Sequence, residues 1–182
     1  LMGNLKGIGL RGSKFRQILK HMKKEEEDLV VLKDKFVSQW GVMGTQWGIN
    51  RTMAQIHALL MTSPEAMTTD EVMEELSISR GNAHTNLKEL VNWGLLRIVT
   101  RKGERKEYFE AELDVWEIFR RIVRERKKRE IDPALDLLEG CLADSQGMKS
   151  AGGRAFNEQM KSLEEFVRFV SKMSDRVAGM PH

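Results

Sequence analysis

The chain has one cysteine, Cys141, which excludes an internal disulfide framework and a cysteine-rich zinc site and fits a reducing cytosol. No apolar run approaches the roughly 20 residues a membrane span needs. No charged-then-apolar signal opens the chain either, so a cytoplasmic location without membrane contact is expected. Neither sign of charge dominates: 30 Lys and Arg against 27 Asp and Glu leave +3, too little to announce a polyanion partner by itself. Catalytic signatures are missing as well. There is no nucleophile with a paired base, no GxGxxG phosphate cradle and no pair of carboxylates placed for acid/base work, so neither an enzyme nor a cofactor is expected. His21, His57, His84 and His182 are scattered, with no ligand spacing among them, and predict no metal site. His57 reads as a partly buried surface residue. Cys141 lacks a basic neighbour in sequence and reads as an inert thiol rather than a redox sensor.

What is present is an ordinary globular composition, 41% hydrophobic and 31% charged over 182 residues, enough for one domain or a small domain with helical extensions. Residues 1–22 are rich in Gly and Lys/Arg with weak periodicity and read as a flexible basic segment. From Lys23 to about Val42, Leu29, Leu32, Phe36 and Trp40 recur at steps of three and four, the apolar face of an amphipathic helix. A second helix is predicted from about Trp47 to Met61, with Ile49, Met53, Ile56 and Leu60 on its buried side. Gly41, Gly44 and Gly48 supply the break before it, and Ser63-Pro64 ends it.

Leu113 to Leu142 reads helical, with Pro133 kinking or dividing it because proline lacks a backbone donor and clashes with the preceding turn. The run Arg124–Arg129 within it, RERKKR, reads as a solvated face. Ala143 to Gly153 reads as a loop, and a last helix from about Arg154 to Val177 carries the seam Phe156, Met160, Leu163, Val167, Val170 and Val177. That seam predicts packing against another helix, including one from a second subunit.

Between these helices, Thr68 to Glu110 holds the richest pattern. Thr68-x-x-Glu71 has capping-box spacing, Val72 and Leu76 point inward, Ile78 plugs a turn, and Ser79 is a natural N-cap for the next helix. On that helix Ala83, Leu87, Leu90 and Val91 form the inner side. Gly81, Asn82, Thr85 and Lys88 fall opposite, flanked by Arg80 and Asn86. Short polar side chains at a helix start suit the major groove, where Asn can read adenine and Thr a thymine methyl. Trp93-Gly94 closes the helix. Leu95 to Thr100, the basic tip Arg101-Lys102-Gly103 and a return from Lys106 to Glu110 read as a hairpin. From Ser79 to Glu107 seven basic residues (Arg80, Lys88, Arg97, Arg101, Lys102, Arg105 and Lys106) face three acids (Glu89, Glu104 and Glu107), a local excess of four suited to phosphates. The order is that of a winged helix-turn-helix with a two-stranded wing. A winged helix used as a protein-interaction or scaffold module, without DNA binding, is the alternative.

The strings ISRGNAHTNLKELVNWGLLRIV and KGERKEYFEAELDVW, with WGINRTMAQIHALL upstream, resemble the MarR superfamily of winged-helix regulators and, within it, the glycine betaine synthesis repressor branch. The resemblance covers about Lys24 to Leu142. It implies a mainly α fold and a homodimeric transcriptional regulator, a repressor, acting on double-stranded DNA. The expected divisions are 1–22, the flexible basic N-terminal segment, 23–62 the N-terminal helices, 63–112 the DNA-binding module and 113–182 a C-terminal helical dimerisation region. The resemblance gives Ser79, Arg80, Asn82, Thr85, Asn86 and Lys88 the recognition-helix role, and Arg101, Lys102, Arg105 and Lys106 the wing role. The branch further implies a small-molecule effector such as choline in an aromatic cage. Phe36, Trp40 and Trp47 are the candidate walls, with Tyr108 and Trp116 as candidate neighbours, because ring faces attract a quaternary ammonium. Plain core packing of these rings is the competing reading.

Overall fold

A computed structural model describes residues 12–180. In chain order it contains α1 (Gly12–Gln46), α2 (Arg51–Thr62), β1 (Met67–Thr68), α3 (Thr69–Leu76), α4 (Arg80–Asn92), β2 (Leu96–Thr100), β3 (Glu107–Ala111), α5 (Val115–Arg126), a π turn (Lys127–Ile131), α6 (Asp132–Ser145) and α7 (Ala151–Ala178). The protein is mainly helical with one small antiparallel sheet, strand order β1-β3-β2. The expected two-stranded wing therefore gains a third strand. Met67 pairs with Phe109 and Thr68 with Tyr108, which ties the start of the helix-turn-helix to the wing.

The flexible segment expected over 1–22 falls partly outside the described residues, and from Gly12 the chain is already helical. The predicted glycine break is also placed differently. Gly41 and Gly44 lie inside α1, where a Cβ on Gly44 would sit 2.5 Å from Ala54 Cβ and one on Gly41 would meet Gln55 Cγ at 2.5 Å. They allow α1 and α2 to approach closely. Gly48 makes the stop: at φ 73° it takes the left-handed position that favours glycine. Its N–H reaches Thr45 O at 3.1 Å and Ile49 N–H reaches Gly44 O at 2.8 Å, the double closure of a Schellman motif. The second helix thus begins at Arg51 rather than Trp47, capped by Asn50 Oδ1 accepting from Met53 N–H at 3.1 Å. Gly44→Val should cost about 2 kcal/mol, because the added carbons must push two close-packed helices apart. An unchanged urea midpoint for this variant would show that the α1–α2 contact is not tight.

Met53, Ile56 and Leu60 of α2, Val72 of α3, Leu87 and Leu90 of α4, and Leu95, Leu96, Phe109 and Ala111 of the hairpin form one buried cluster. Phe109, Ile56, Val72 and Leu87 are fully buried. At about 25 cal/mol per Å² of apolar area removed from water, such side chains contribute about 2 kcal/mol each, and they fix the angle between α4 and the hairpin. The face of α1 behaves differently. Leu29 and Leu32, expected on a buried side, are 51% and 62% exposed, because α1 packs chiefly on α2 and its N-terminal half runs past it.

Pro133 acts as expected and divides the C-terminal helix. The division takes the form of a π turn: Asp132 N–H reaches back to Lys127 O, and α6 starts with the proline in its first turn. The wider turn accommodates a residue that cannot donate. Beyond it α6 continues to Ser145, so the predicted loop shortens to 146–150 and α7 begins at Ala151, capped by Ser150. The basic run 124–129 is not simply solvated. Lys127 pairs with Asp132 at 2.8 Å and Asp175 at 3.6 Å, and Arg129 pairs with Glu89 at 2.5 Å and Glu125 at 3.3 Å. It joins α4, α5 and α7.

Candidate nucleic-acid interface

The helix-turn-helix is built by local chemistry. Thr68 Oγ1 accepts from Glu71 N–H at 3.3 Å while Glu71 Oε2 accepts from Thr68 N–H at 2.6 Å, a reciprocal capping box. The Thr68 N–H, foremost, and the Thr68 hydroxyl, which donates to Glu71 Oε2 at 2.8 Å, hold the Glu71 carboxyl below the usual carboxylate range. Ser77 turns the chain at φ 51°, a left-handed position rarely taken by a residue with a Cβ. Ser79 then caps α4, its Oγ accepting from Asn82 N–H at 3.3 Å.

On α4, Ala83, Leu87 and Leu90 are buried, and Arg80, Gly81, Asn82, His84 and Thr85 are exposed with Lys88 half-buried. The polar face expected from spacing therefore lies open. A Cβ on Gly81 would meet nothing within 4 Å, so its small size answers no need of the fold. Asn86 is a correction. It is only 8% exposed, and its Nδ2 donates to Asn82 O at 2.8 Å and Asn82 Oδ1 at 2.7 Å. One helical turn apart, the two side chains meet, so Asn86 orients Asn82 from within and leaves the Asn82 amide nitrogen available as a donor. This pair was not separable from spacing alone, since position 86 sits at the border of the two faces.

The wing carries Arg101, Lys102, Arg105 and Lys106, all exposed. Its tip turns at Gly103, φ 86°. The Arg101 guanidinium lies 4.0 Å from the Tyr108 ring centre, a cation–π contact that stiffens the strand base. The Tyr108 hydroxyl donates to Glu104, and this bond raises its pKa above the ordinary phenol value. Among the described residues Lys102 and Arg105 take no ion pair. Elsewhere the positive stretch is partly balanced by acids distant in sequence: Arg80 by Asp70, Arg97 by Glu110 at 3.0 Å and Arg101 by Glu65 at 3.5 Å. Lys88 pairs with Glu107 at 3.4 Å. Counting those three further acids lowers the local excess from four to one. The pairs are exposed and worth little each, so a phosphate can displace them.

Directly behind α4 lies a cavity of about 710 Å³, between α1 and α2 on one side and α4 and α5 on the other. It gathers the three expected rings: Phe36 and Trp40 have centres 5.4 Å apart, and Trp40 and Trp47 meet edge-on at 5.7 Å. The expected neighbours do not join them. Trp116 is 67% exposed and Tyr108 belongs to the wing. Trp93 and Phe119 line the wall in their place, together with His57. His57 is 5% exposed, not the surface residue expected, and burial lowers its pKa to about 4. An imidazole among Ile56, Ala58 and Leu60 on an apolar helix was the available signal. Trp93 is itself held at the end of α4, with Nε1 donating to Glu89 Oε1 at 3.1 Å and the Arg129 guanidinium 5.1 Å from its ring centre.

No protein-family model matches the chain. It is 29% identical over 100 residues to the HTH-type transcriptional repressor GbsR of Bacillus subtilis (strain 168). That stretch is 55% of this chain and 55% of the relative, so the chain spans about half the relative's length. A solved crystal structure of a transcriptional regulator superposes with a TM-score of 0.53, covering 79% of this chain and 98% of that one at 20% identity. The fold is that of a winged-helix regulator. Both similarities are to transcriptional regulators rather than to enzymes. In the winged-helix fold α4 is the second helix of the helix-turn-helix and the β2–β3 turn the wing, and no helix among the described residues is long and apolar enough to cross a membrane.

Proposed function

We propose that this protein is a dimeric, sequence-specific DNA-binding transcriptional regulator, a repressor, whose affinity for DNA is set by a small molecule held behind α4. The observation that carries the reading is the α4 face. Gly81, Asn82 and Thr85 stand exposed at the start of a capped helix, beside a wing with unpaired cations, and nothing near Gly81 requires its small size. The N-terminal amides of α4 favour a phosphate, the short side chains admit base edges, and the wing reaches the flanking backbone.

The dimer reading rests on uncovered apolar surface. Leu29, Val30, Val31 and Leu32 of α1 are more than half exposed, and α7 presents Phe156, Leu163, Phe166, Phe169 and Met173 at steps of seven, three, three and four. Phe166 and Phe169 are 63% and 60% exposed. Such contiguous apolar surface marks an association site, and a second copy supplies the same helices in return. The seam expected on α7 is in fact two. Met160, Val167, Val170 and Val177 are the half-buried one, facing α5 and α6, while Phe156 and Leu163 join the outer stripe.

Two recognition helices related by a two-fold axis fit half-sites roughly 34 Å apart. Genomic-fragment selection with the full chain at physiological salt tests the proposal. The expected result is one enriched, two-fold symmetric sequence. Enrichment of no sequence, with salt-insensitive capture of a protein partner instead, would favour the scaffold alternative.

A further inference from the structure

We propose that the cavity behind α4 binds an uncharged, largely apolar molecule, up to about the size of two fused rings, whose hydroxyl group hydrogen-bonds to Nε2 of His57. The proposal deepens the regulator reading above, on which its consequence for DNA rests.

The volume, about 710 Å³, lies within the range of small-molecule sites. The chemistry of the wall then selects the ligand. Phe36, Trp40, Trp47, Trp93 and Phe119 supply ring faces, and no carboxylate among the described residues lines the cavity. The charged lining residue is Arg126, a cation, which already donates to the Trp47 carbonyl and pairs with Glu130 at 3.1 Å. A quaternary ammonium would lose its water facing a guanidinium with no negative partner in the wall. An anion would compete with contacts that Arg126 has already made. An uncharged body meets neither cost.

The remaining feature is His57. It is 95% buried, from its 5% exposure, and its Nε2 has no hydrogen-bond partner. A buried polar atom in that condition is costly, so a ligand group that satisfies it binds with an advantage that a plain hydrocarbon lacks. A hydroxyl both donates and accepts and therefore serves either imidazole tautomer. Phe36 and Trp47, 36% and 48% exposed, stand at the solvent side as the entry, whereas Met53, His57 and Leu90 are buried. Leu90 and Trp93 belong to α4 and its cap, so an occupant presses directly on the recognition helix.

Calorimetric titration of the full chain at neutral pH with 2-naphthol, naphthalene and choline tests this. One 2-naphthol per chain should bind, about tenfold more tightly than naphthalene, and choline should give no saturable heat. His57→Leu should keep its melting temperature or raise it and bind the two ring compounds within about twofold of each other. Trp40→Ala, which removes a wall ring, should weaken both. Tighter binding of choline than of 2-naphthol overturns the proposal, as does an unchanged naphthol preference in His57→Leu. Absence of saturable naphthol binding also overturns it, and would mean that the wall closes on itself or on a second copy's side chains. Gel shifts on the same samples separate the two readings: naphthol binding without retention of any duplex defeats the regulator reading alone, and specific duplex binding without naphthol binding defeats this inference alone.

Discussion

Replacing Asn82 and Thr85 together with alanine is expected to lower affinity for the selected operator by about 100- to 1,000-fold, since each base contact is worth roughly 1–3 kcal/mol of discrimination. Affinity for a scrambled duplex should fall less than threefold. Both side chains are exposed, alanine is a good helix former, and Asn86 Nδ2 keeps the Asn82 backbone carbonyl when it loses Asn82 Oδ1, so the melting temperature should fall only slightly. Lys102→Ala with Arg105→Ala should act differently. These wing cations have no ion pair among the described residues, and on the proposed reading their removal should weaken operator and scrambled duplex alike. The slope of log affinity against log salt should become shallower by about two. Fluorescence anisotropy on both duplexes at several salt concentrations distinguishes these outcomes. Equal losses on the two duplexes from Asn82→Ala/Thr85→Ala would remove α4 from base reading and leave it as a backbone contact.

The contrast between those two variants follows what was legible in the sequence. The capping box at Thr68 and Glu71, the Ile78 plug and the Ser79 cap act over three or four residues, so their chemistry is written within the motif and the helix-turn-helix could be read directly. Asn86 could not. Its burial depends on whether a border position turns toward Asn82 or toward solvent, a choice made by packing across the whole domain. The positive excess of the wing was visible as a count. The balancing acids Glu65, Asp70 and Glu110 come close only when β1, β3 and α3 assemble. Gly44 shows the same limit from the other side: a glycine that ends a helix and a glycine that lets two helices touch look alike until the partner, Ala54, is in place. The cavity was half legible. Phe36, Trp40 and Trp47 lie near one another along the chain, whereas Trp93, Phe119 and His57 reach it from three separate elements.

His57 gives the second large effect, and its sign can be worked out. Burial lowers its pKa from 6.5 to about 4, so the folded protein holds a neutral imidazole through the range in which the unfolded chain takes up a proton. Between pH 6.5 and pH 4 the unfolded state therefore binds more protons, and stability, intact above pH 6.5, declines as the pH falls until the folded-state imidazole also titrates. The full gap corresponds to about 3 kcal/mol, a large part of the stability of a domain this size. Carboxylates elsewhere contribute their own acid sensitivity, so the comparison is between the protein and His57→Leu in urea denaturation at pH 7 and pH 4. The variant should lose about 3 kcal/mol less on acidification and be no less stable at pH 7, because it removes an unsatisfied buried nitrogen and replaces it with a side chain the apolar wall accepts. Equal acid sensitivity of the two proteins would mean that His57 reaches water or a partner in solution, and the hydrogen-bonding handle of the cavity would be lost with it.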